Sequence, residues 1–464
     1  MKKQFLVIVI LILITKIGIC QIHSKTDERF ELTSIMFALA GAQEYCQCEI
    51  PSYWRGIEGL AIEYDSLAPI NFIRELRKSN AIGYNAVSST ADILEIKNGK
   101  ISLKSQYDIS KISEIDSRWT EDLFADYIKM LNIFYAESKF NLFFESHRGL
   151  YAVAEQRMDE QLKKVNMTWF ESFYGKSLDT SSLTVYVSLT NGPSNYAVPS
   201  GILIGAGSDS EGNPYFGEGI SLLIHEFGHH YTNPIFATYW PQMEAAAKKI
   251  YPYVEAKMLE NAYSGAKDMM GEWLNNLFML MYYKENDDIW LRTLSETYAS
   301  RGFVWIIPTV DYMMNFYNNR NQYPTINDFM PQLVVYINEL ADNIESIIQD
   351  YVEKQPYVVD VSPSRGSTIS GITEVVITFS EPMRNQNGFD YLEDENIKPM
   401  EFVVGAKWSE DGLYLTLQLD ATQGTPNCLY GLRFLPWAFV SQRGIHLNDK
   451  NEGIVYKIIK DEDF

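Results

Sequence analysis

The five residues from His225 to His229, His-Glu-Phe-Gly-His, constrain this chain more than any other stretch. The apolar run from Ser221 to Ile224 predicts that they lie on a partly buried helix, on which residues four apart share one face. His225 and His229 then present two imidazole nitrogens to one metal ion. Zinc held by few protein ligands keeps a position open for water and lowers the pKa of that water. The sequence therefore predicts a zinc-hydrolase site in which Glu226 accepts the proton of the attacking water.

The alternative for this motif is a core helix whose histidines hydrogen-bond internally, because H-E-x-x-H also occurs by chance in long chains. The whole chain has 6 histidines, and three of them fall within Ile224–Tyr231. A buried core helix has no need of two histidines and a glutamate at metal-ligand spacing. His230 faces away from the pair, so we expect it outside the ligand set. Pro234 is expected to end the helix shortly after the site.

A carboxylate later in the chain is the expected third metal ligand. Glu272 is the only acid between Asp268 and Glu285 in a strongly apolar helical stretch, where an unpaired carboxylate is costly. The alternatives for Glu272 are that it caps a turn or pairs with an arginine. Glu296 is the second candidate for the third metal ligand and is called the reserve ligand below. Asn276, four residues after Glu272, shares its face and can orient it or a histidine.

The neighbours of the motif restrict the site further. Thr232 and Ile235 occupy the places where the extended H-E-x-x-H-x-x-G-x-x-H pattern requires Gly and His, so a third histidine ligand is excluded. A hydroxyl or imidazole is expected to stabilise the oxyanion formed in hydrolysis, and Tyr231 and Tyr298 are the candidates.

Residues 1–20 have the pattern of a secretory signal peptide, with two lysines and a short apolar run before Gln21. The run is too short for a comfortable transmembrane helix, and no later run reaches spanning length. We expect cleavage before Gln21 and a protein that is secreted, periplasmic or at the cell surface. Lipid attachment at Cys20 is the alternative, which the bulky Ile19 disfavours.

The formal net charge of −21 restricts the partners. Nucleic-acid binding relies on Lys and Arg side chains that neutralise phosphates, and docking on anionic membranes needs the same basic residues. We therefore expect no nucleic-acid partner. A peptide or protein substrate is the partner we expect for the predicted hydrolase site.

Two strands are predicted before the histidine helix, at Leu183–Leu189 and Gly201–Gly205, from their β-branched and apolar residues and the turns that follow them. Strands there can form the edge of a cleft, and an exposed edge can bind an extended peptide as one more strand. Helical periodicity precedes them, for instance over Ile82–Ile96.

The character of the chain changes from helix to strand at about residue 356. Alternating runs such as Glu374–Phe379 and Leu413–Leu419, separated by Gly, Asn and Pro turns, predict a β-sandwich of about a hundred residues. The predicted fold class is α+β, with a mostly helical domain followed by an all-β sandwich. The predicted organisation is a signal peptide at 1–20, a helical domain at 21–355 and a β domain at 356–464.

The H-E-x-x-H helix with a later helical glutamate resembles the gluzincin branch of zinc metallopeptidases. Within it, roughly residues 28–350 are similar to an uncharacterised family of secreted bacterial zincin-like peptidases. The matching stretches are Glu31–Ala40, His225–Pro234, Glu272 and Tyr323–Pro331. The resemblance implies a zincin-like fold with His225, His229 and Glu272 as zinc ligands and Glu226 as general base.

The C-terminal region resembles bacterial Ig-like modules. The matching segments are Pro363-Ser-Arg-Gly366 and Phe379-Ser-Glu-Pro-Met383. Such modules usually act as spacers or surface attachments, so the resemblance implies an Ig-like sandwich without a catalytic role.

The sequence thus predicts a secreted zinc metallopeptidase that hydrolyses peptide bonds with metal-activated water. One alternative is a binding or adhesion protein that keeps a zincin scaffold without catalysis. The intact motif argues against it, because a binding protein has no need of Glu226. The other alternative is a zinc-dependent amidase that acts on cell-wall material, which substrate screening separates from a peptidase.

Overall fold

The computed structural model describes residues 22–64, 68–177, 183–217, 219–392, 396–448, 450 and 453–459. The predicted signal peptide, including Cys20, and the predicted cleavage point before Gln21 lie outside the described residues. Within them the chain is α+β, with a helical region up to Lys354 and an all-β region from Val358. This confirms the fold class at that coarse level.

The helices of the described chain are α1 (Glu28–Leu39), α2 (Pro51–Tyr64), α3 (Ala68–Asn80), α4 (Asn85–Ile93), α5 (Ile112–Ile115), α6 (Glu121–Glu137), α7 (Phe140–Ser146), α8 (Arg148–Leu162), α9 (Met167–Tyr174), α10 (Ser221–Glu260), α11 (Ala266–Asn286), α12 (Asp288–Ser300), α13 (Ile306–Tyr312), α14 (Met314–Asn318), α15 (Ile326–Ala341) and α16 (Ile344–Lys354). None of the helices in this part of the chain has the length and apolarity needed to cross a membrane.

The strands are β1 (Ser24–Thr26), β2 (Leu94–Lys97), β3 (Lys100–Leu103), β4 (Thr184–Ser188), β5 (Tyr196–Val198), β6 (Gly201–Gly205), β7 (Gly207–Ser208), β8 (Pro214–Tyr215), β9 (Val358–Ser362), β10 (Thr368–Ile369), β11 (Ile372–Phe379), β12 (Phe389–Tyr391), β13 (Ile397–Pro399), β14 (Val403–Trp408), β15 (Tyr414–Asp420), β16 (Leu429–Phe434) and β17 (Ile454–Ile458).

The chain divides into two compact units, the first ending at Phe227 and the second beginning at Gly228, except that Ser172–Gly175 belongs to the second. The division therefore falls inside α9 and α10. The boundary predicted between residues 355 and 356 lies where α16 gives way to β9. It remains a prediction as a domain boundary.

The first unit contains a four-stranded mixed sheet of order β1-β4-β6-β5. Strands β1, β4 and β6 run parallel, and β5 is antiparallel to β6. Both predicted strands are present, as β4 and β6, but they lie inside the sheet. The hypothesis that they form a cleft edge is wrong, because β1 and β5 occupy the edges.

Glycines at the ends of β6 permit the close approach of neighbouring backbone. A Cβ atom at Gly201 would lie 1.9 Å from the carbonyl oxygen of Thr184, and one at Gly205 would lie 2.0 Å from that of Gly192. Only glycine avoids these clashes, so the two glycines of the predicted strand have a packing role.

Helix α1 packs in the first unit as a nearly fully buried helix that carries an acid. Glu31 is 0% exposed. Its carboxylate accepts hydrogen bonds from the hydroxyls of Tyr53 and Thr190, both at 2.6 Å, and from the backbone N–H of Leu189 at 2.9 Å. Three donors thus compensate the burial of this carboxylate.

The predicted helix Ile82–Ile96 is too long. Helix α4 ends at Ile93, and the chain then forms the antiparallel hairpin of β2 and β3. Asn98 and Gly99 between the strands have φ angles of 52° and 72°. Asn-Gly is the pair preferred where a two-residue turn requires positive φ at both positions, so local turn chemistry overrides helical periodicity here.

Two sheets form the C-terminal β region of the second unit. One has the order β14-β15-β11-β9, and the other contains β10, β17, β16 and β12, with β13 paired to β16. Inward residues of both, including Ile377, Leu415 and Tyr456, belong to one hydrophobic cluster. Alternation of buried and exposed residues along β11 and β15 places these side chains in that core.

Helix α10 continues through Pro234, so the prediction that this proline ends the helix is wrong. Pro234, Pro241 and Pro252 all lie inside the helix. They follow each other at seven and eleven residues, which places them within about 20° of one line along the helix. All three are exposed, as are the residues four positions earlier whose carbonyls lose a partner. Water can solvate those carbonyls, which offsets part of the cost of each proline.

Candidate metal centre

The first turns of α10 orient the two histidines of the motif. Leu223, Ile224 and Phe227 are buried, with exposures of 3%, 1% and 0%. His225 and His229 lie four residues apart and are only partly buried. The buried side of the helix is thus apolar, and the two imidazoles share a neighbouring face, as their spacing predicts.

The structure brings Glu272 of α11 to these imidazoles. His225, His229 and Glu272 each offer a ligand atom within 4.8 Å of the other two. Nε2 of His229 lies 3.6 Å from Oε1 of Glu272. A tetrahedral ion with bonds of about 2.1 Å separates its ligand atoms by roughly 3.4 Å. The group therefore fits one zinc ion without a large movement.

The kinds of donor also fit zinc. Two imidazole nitrogens and one carboxylate form a set of three protein ligands, which leaves the fourth position of a tetrahedral ion for water or substrate. Within the described residues no other group of three or more His, Cys, Asp or Glu side chains brings its ligand atoms within 4.8 Å of one another. The reserve ligand Glu296 is not part of this group.

Asn233 fixes the orientation of His229. Its Oδ1 lies 3.2 Å from Nδ1 of His229, so that nitrogen donates a hydrogen bond when it carries the ring proton. Nε2, which faces Glu272, is then the unprotonated nitrogen that a metal needs. Asn233 was not assigned a role from the sequence, although its position four residues after His229 is the signal that identifies it.

The electrostatics of Glu272 reflect its burial among polar neighbours. Burial raises the pKa of its carboxyl, and the nearby Asp268 adds to the rise. His229 and a hydrogen bond with Tyr263 lower that pKa, but the net direction is upward. A cation at the site would offset the desolvation of the carboxylate. Tyr263 lies in the connection between α10 and α11, and no motif or spacing in the sequence links it to the site.

A glycine in the motif lets α11 approach α10. A Cβ atom at Gly228 would lie 2.6 Å from Oδ1 of Asn275, a side chain that is only 1% exposed. Asn275 follows Glu272 by three residues on α11. The small residue between the two histidines thus sets how closely the helix that carries Glu272 can pack.

Glu226 follows His225 on α10 and is 8% exposed. It is not one of the three grouped ligand residues. The exposed His230 is also outside the group, as expected.

The other residues singled out from the sequence have different surroundings. Asn276 is 2% exposed, and its Oδ1 has no hydrogen-bond partner among the residues described. The ring of Tyr231 stacks on Tyr174 with centroids 4.4 Å apart. The hydroxyl of Tyr298 donates to the sulfur of Met279 at 3.5 Å. None of these contacts supports an oxyanion role for either tyrosine.

Comparisons of the chain with protein-family models, with curated proteins and with solved structures found no match.

Proposed function

We propose that this protein is a zinc-dependent metallopeptidase of the gluzincin type, exported by its signal peptide. The observation that carries the proposal is the convergence of His225, His229 and Glu272 within 4.8 Å. Glu272 is 43 residues beyond His229 in sequence, so chance proximity of an acid in an apolar helix is a poor explanation.

The residues of the chain divide the work of hydrolysis. His225, His229 and Glu272 would hold the ion, and the hydrogen bond with Asn233 would keep Nε2 of His229 unprotonated. When bound, zinc would supply an acidified water and Lewis acidity toward the scissile carbonyl. Glu226 takes the proton of the water and returns it to the leaving amine. Tyr263 restrains Glu272 through a hydrogen bond.

The same donor set supports hydrolysis of an amide outside a peptide chain, such as one in cell-wall material. The substrate class is therefore part of the proposal and is carried by the resemblance to gluzincins. A protein that only binds its partner would leave Glu226, buried beside the ligands, without a task.

The proposal is tested with zinc analysis and cleavage of an unfolded protein by the wild type and by Glu226→Gln. We expect about one zinc per chain in both proteins, in line with a single three-residue ligand group. Cleavage should be lost with a zinc chelator and fall by about 10²- to 10⁴-fold in Glu226→Gln, the usual contribution of a general base.

Glu255→Gln is the matched control, because Glu255 is an exposed acid on the same helix. It should keep both zinc and activity. Equal turnover by the wild type and Glu226→Gln would contradict the role of Glu226. Zinc without cleavage of protein, but with cleavage of cell-wall amides, would favour the amidase.

A further inference from the structure

A cavity separate from the metal centre lies among α12, α13, α16 and the loop that contains Ile445, all in the second unit. Its volume is about 290 Å³. A cavity of about 150 Å³ lined by apolar side chains is enough to bind benzene. The cavity therefore has room for an aromatic or branched apolar group with a short polar arm.

The walls of the cavity combine apolar side chains with acids. Val304, Ile307 and Ile347 form an apolar side, and Val304 packs with Tyr351 in a small hydrophobic cluster. Glu296, from α12, belongs to the same lining. The sequence marked this glutamate as a reserve zinc ligand, and the structure places it here instead.

The carboxylate of Glu296 is the unusual group of the cavity. The residue is 9% exposed, and Tyr351 forms a side-chain hydrogen bond with its carboxyl group. Its Oε2 is a buried atom with no hydrogen-bond partner of its own among the described residues. A buried acceptor without a donor costs on the order of 1–3 kcal/mol, and more when it is charged. A ligand that donates a hydrogen bond to Oε2 would recover that cost.

The charges around the cavity favour a cationic donor. Asp311 and Asp350 join Glu296 in the lining, against the single base Lys354. Arg292 and Arg443 also act on Glu296 from outside the lining. The guanidinium of Arg443 donates two hydrogen bonds of 2.6 Å to Glu381.

Burial is the largest influence on the pKa of Glu296 and raises it. Opposing contributions come from the charge of Arg292 first, then from the hydrogen bond with Tyr351 and the charges of Arg443 and Lys354, and they do not cancel the rise. The nearby bases therefore leave part of the cost of an ionised Glu296 uncompensated.

We propose that this cavity binds a small organic cation, a primary ammonium on an apolar body, with Glu296 as its counter-ion. The ammonium donates to Oε2 of Glu296, and the body packs against Val304, Ile307 and Ile347. The site is independent of the zinc centre and of its proposed activity.

Isothermal titration calorimetry with phenethylammonium tests the site on the full chain at neutral pH. The neutral 2-phenylethanol and the anionic 3-phenylpropionate have similar size and serve as comparison ligands. We expect the cation to bind about 10- to 100-fold more tightly than the alcohol, the range for a hydrogen bond to a charged group. The anion should not bind.

Two variants separate the effect of the Glu296 charge from the effect of the cavity volume. Glu296→Gln keeps the shape and should bring the affinities of cation and alcohol together. Ile347→Phe adds volume inside the cavity and should weaken both ligands, with circular dichroism to show that each variant is folded. Glu345→Gln removes an exposed acid of α16 outside the lining and should change nothing.

Equal affinity of the wild type for cation and alcohol would overturn the proposal. Absence of binding by the folded wild type would do the same. Unchanged binding of phenethylammonium by Glu296→Gln would assign the ligand to another place, including the zinc centre.

Discussion

Two acids in apolar helices, Glu31 of α1 and Glu272 of α11, have different surroundings. Glu31 is fully buried and accepts hydrogen bonds from two hydroxyls and one backbone N–H. Glu272 is partly buried, with 24% of its side chain exposed, and lies against two imidazoles. The first carboxylate is surrounded by donors, and the second belongs to a group of candidate metal-ligand atoms.

The difference shows how the surroundings of a structural acid differ from those of a candidate metal ligand. Donors fixed by the fold compensate Glu31 without any ion. A neutral imidazole has one acceptor nitrogen besides its N–H donor, so Glu272 and the acceptor nitrogens of the two histidines together gain most from a cation. In the sequence both are acids within apolar helical stretches, and only the residues around them in space separate the two cases.

The largest expected effect is on stability at Glu31. Glu31→Ala should lower the free energy of unfolding by roughly 3 to 6 kcal/mol, because three buried donors lose their acceptor. Urea titration measures this, with Glu75→Ala on the exposed side of α3 as control. Zinc content per folded chain should not change. A loss as small as that of the control would contradict the structural role of Glu31.

The second effect separates the two acids directly. Glu272→Ala should weaken zinc binding by at least about 100-fold, more than the usual loss of a residue that only orients a ligand. Without zinc its free energy of unfolding should fall far less than that of Glu31→Ala, because burial disfavours its charged form. Competition with a chelator measures the affinity. Unchanged zinc binding would mean that another residue is the third ligand.

The third prediction concerns the contact that positions Glu272. Gly228→Ala should cost about 1–3 kcal/mol through the clash with Asn275, even though alanine is the better helix former. It should also weaken zinc binding by moving α11. Asn275→Ala added to Gly228→Ala should restore part of both, and a double-mutant cycle measures the coupling. Additive losses would show that the two residues act separately.

The smallest effect comes from Glu296, whose pKa burial raises in the folded state. The folded chain then holds this proton more tightly than the unfolded chain. The associated stability is present below the unfolded pKa of about 4.3 and is lost as pH rises through the higher folded value.

Relative to Glu296→Gln, the wild type should therefore be more stable near pH 4 than near pH 7. The titratable neighbours Arg292, Tyr351, Arg443 and Lys354 are the same in both proteins. Urea titrations at the two pH values measure the difference. A difference that grows with pH instead would mean that the bases around Glu296 outweigh its burial.

The sequence predicts much of the candidate site because spacing and composition are local properties. His225 and His229 share a helix face wherever that helix lies, and Glu272 stands out as an acid among apolar residues. Asn233 follows the same four-residue rule. Tyr263 and Asn275 could not be predicted, since their roles depend on how the chain returns after α10.

Predictions of the fold failed where one local signal competed with another. Helical periodicity predicts a helix past Ile93, but Asn98-Gly99 is a strong turn signal. Proline usually ends a helix, which predicts a stop at Pro234, but its exposed position makes it tolerable inside α10. The strand order of the sheet in the first unit could not be predicted either, because nothing in the sequences of β4 and β6 indicates that β1 and β5 form its edges.

The row of prolines along α10 has a consequence for how this helix opens. Proline suits the first turn of a helix, so each of Pro234, Pro241 and Pro252 can begin a segment of its own. Fraying that starts at Glu260 therefore reaches the boundaries between these segments before it reaches the imidazoles of His225 and His229. Hydrogen exchange along α10 should consequently rise in steps toward its C-terminus, with the slowest amides in the segment that carries His225 and His229.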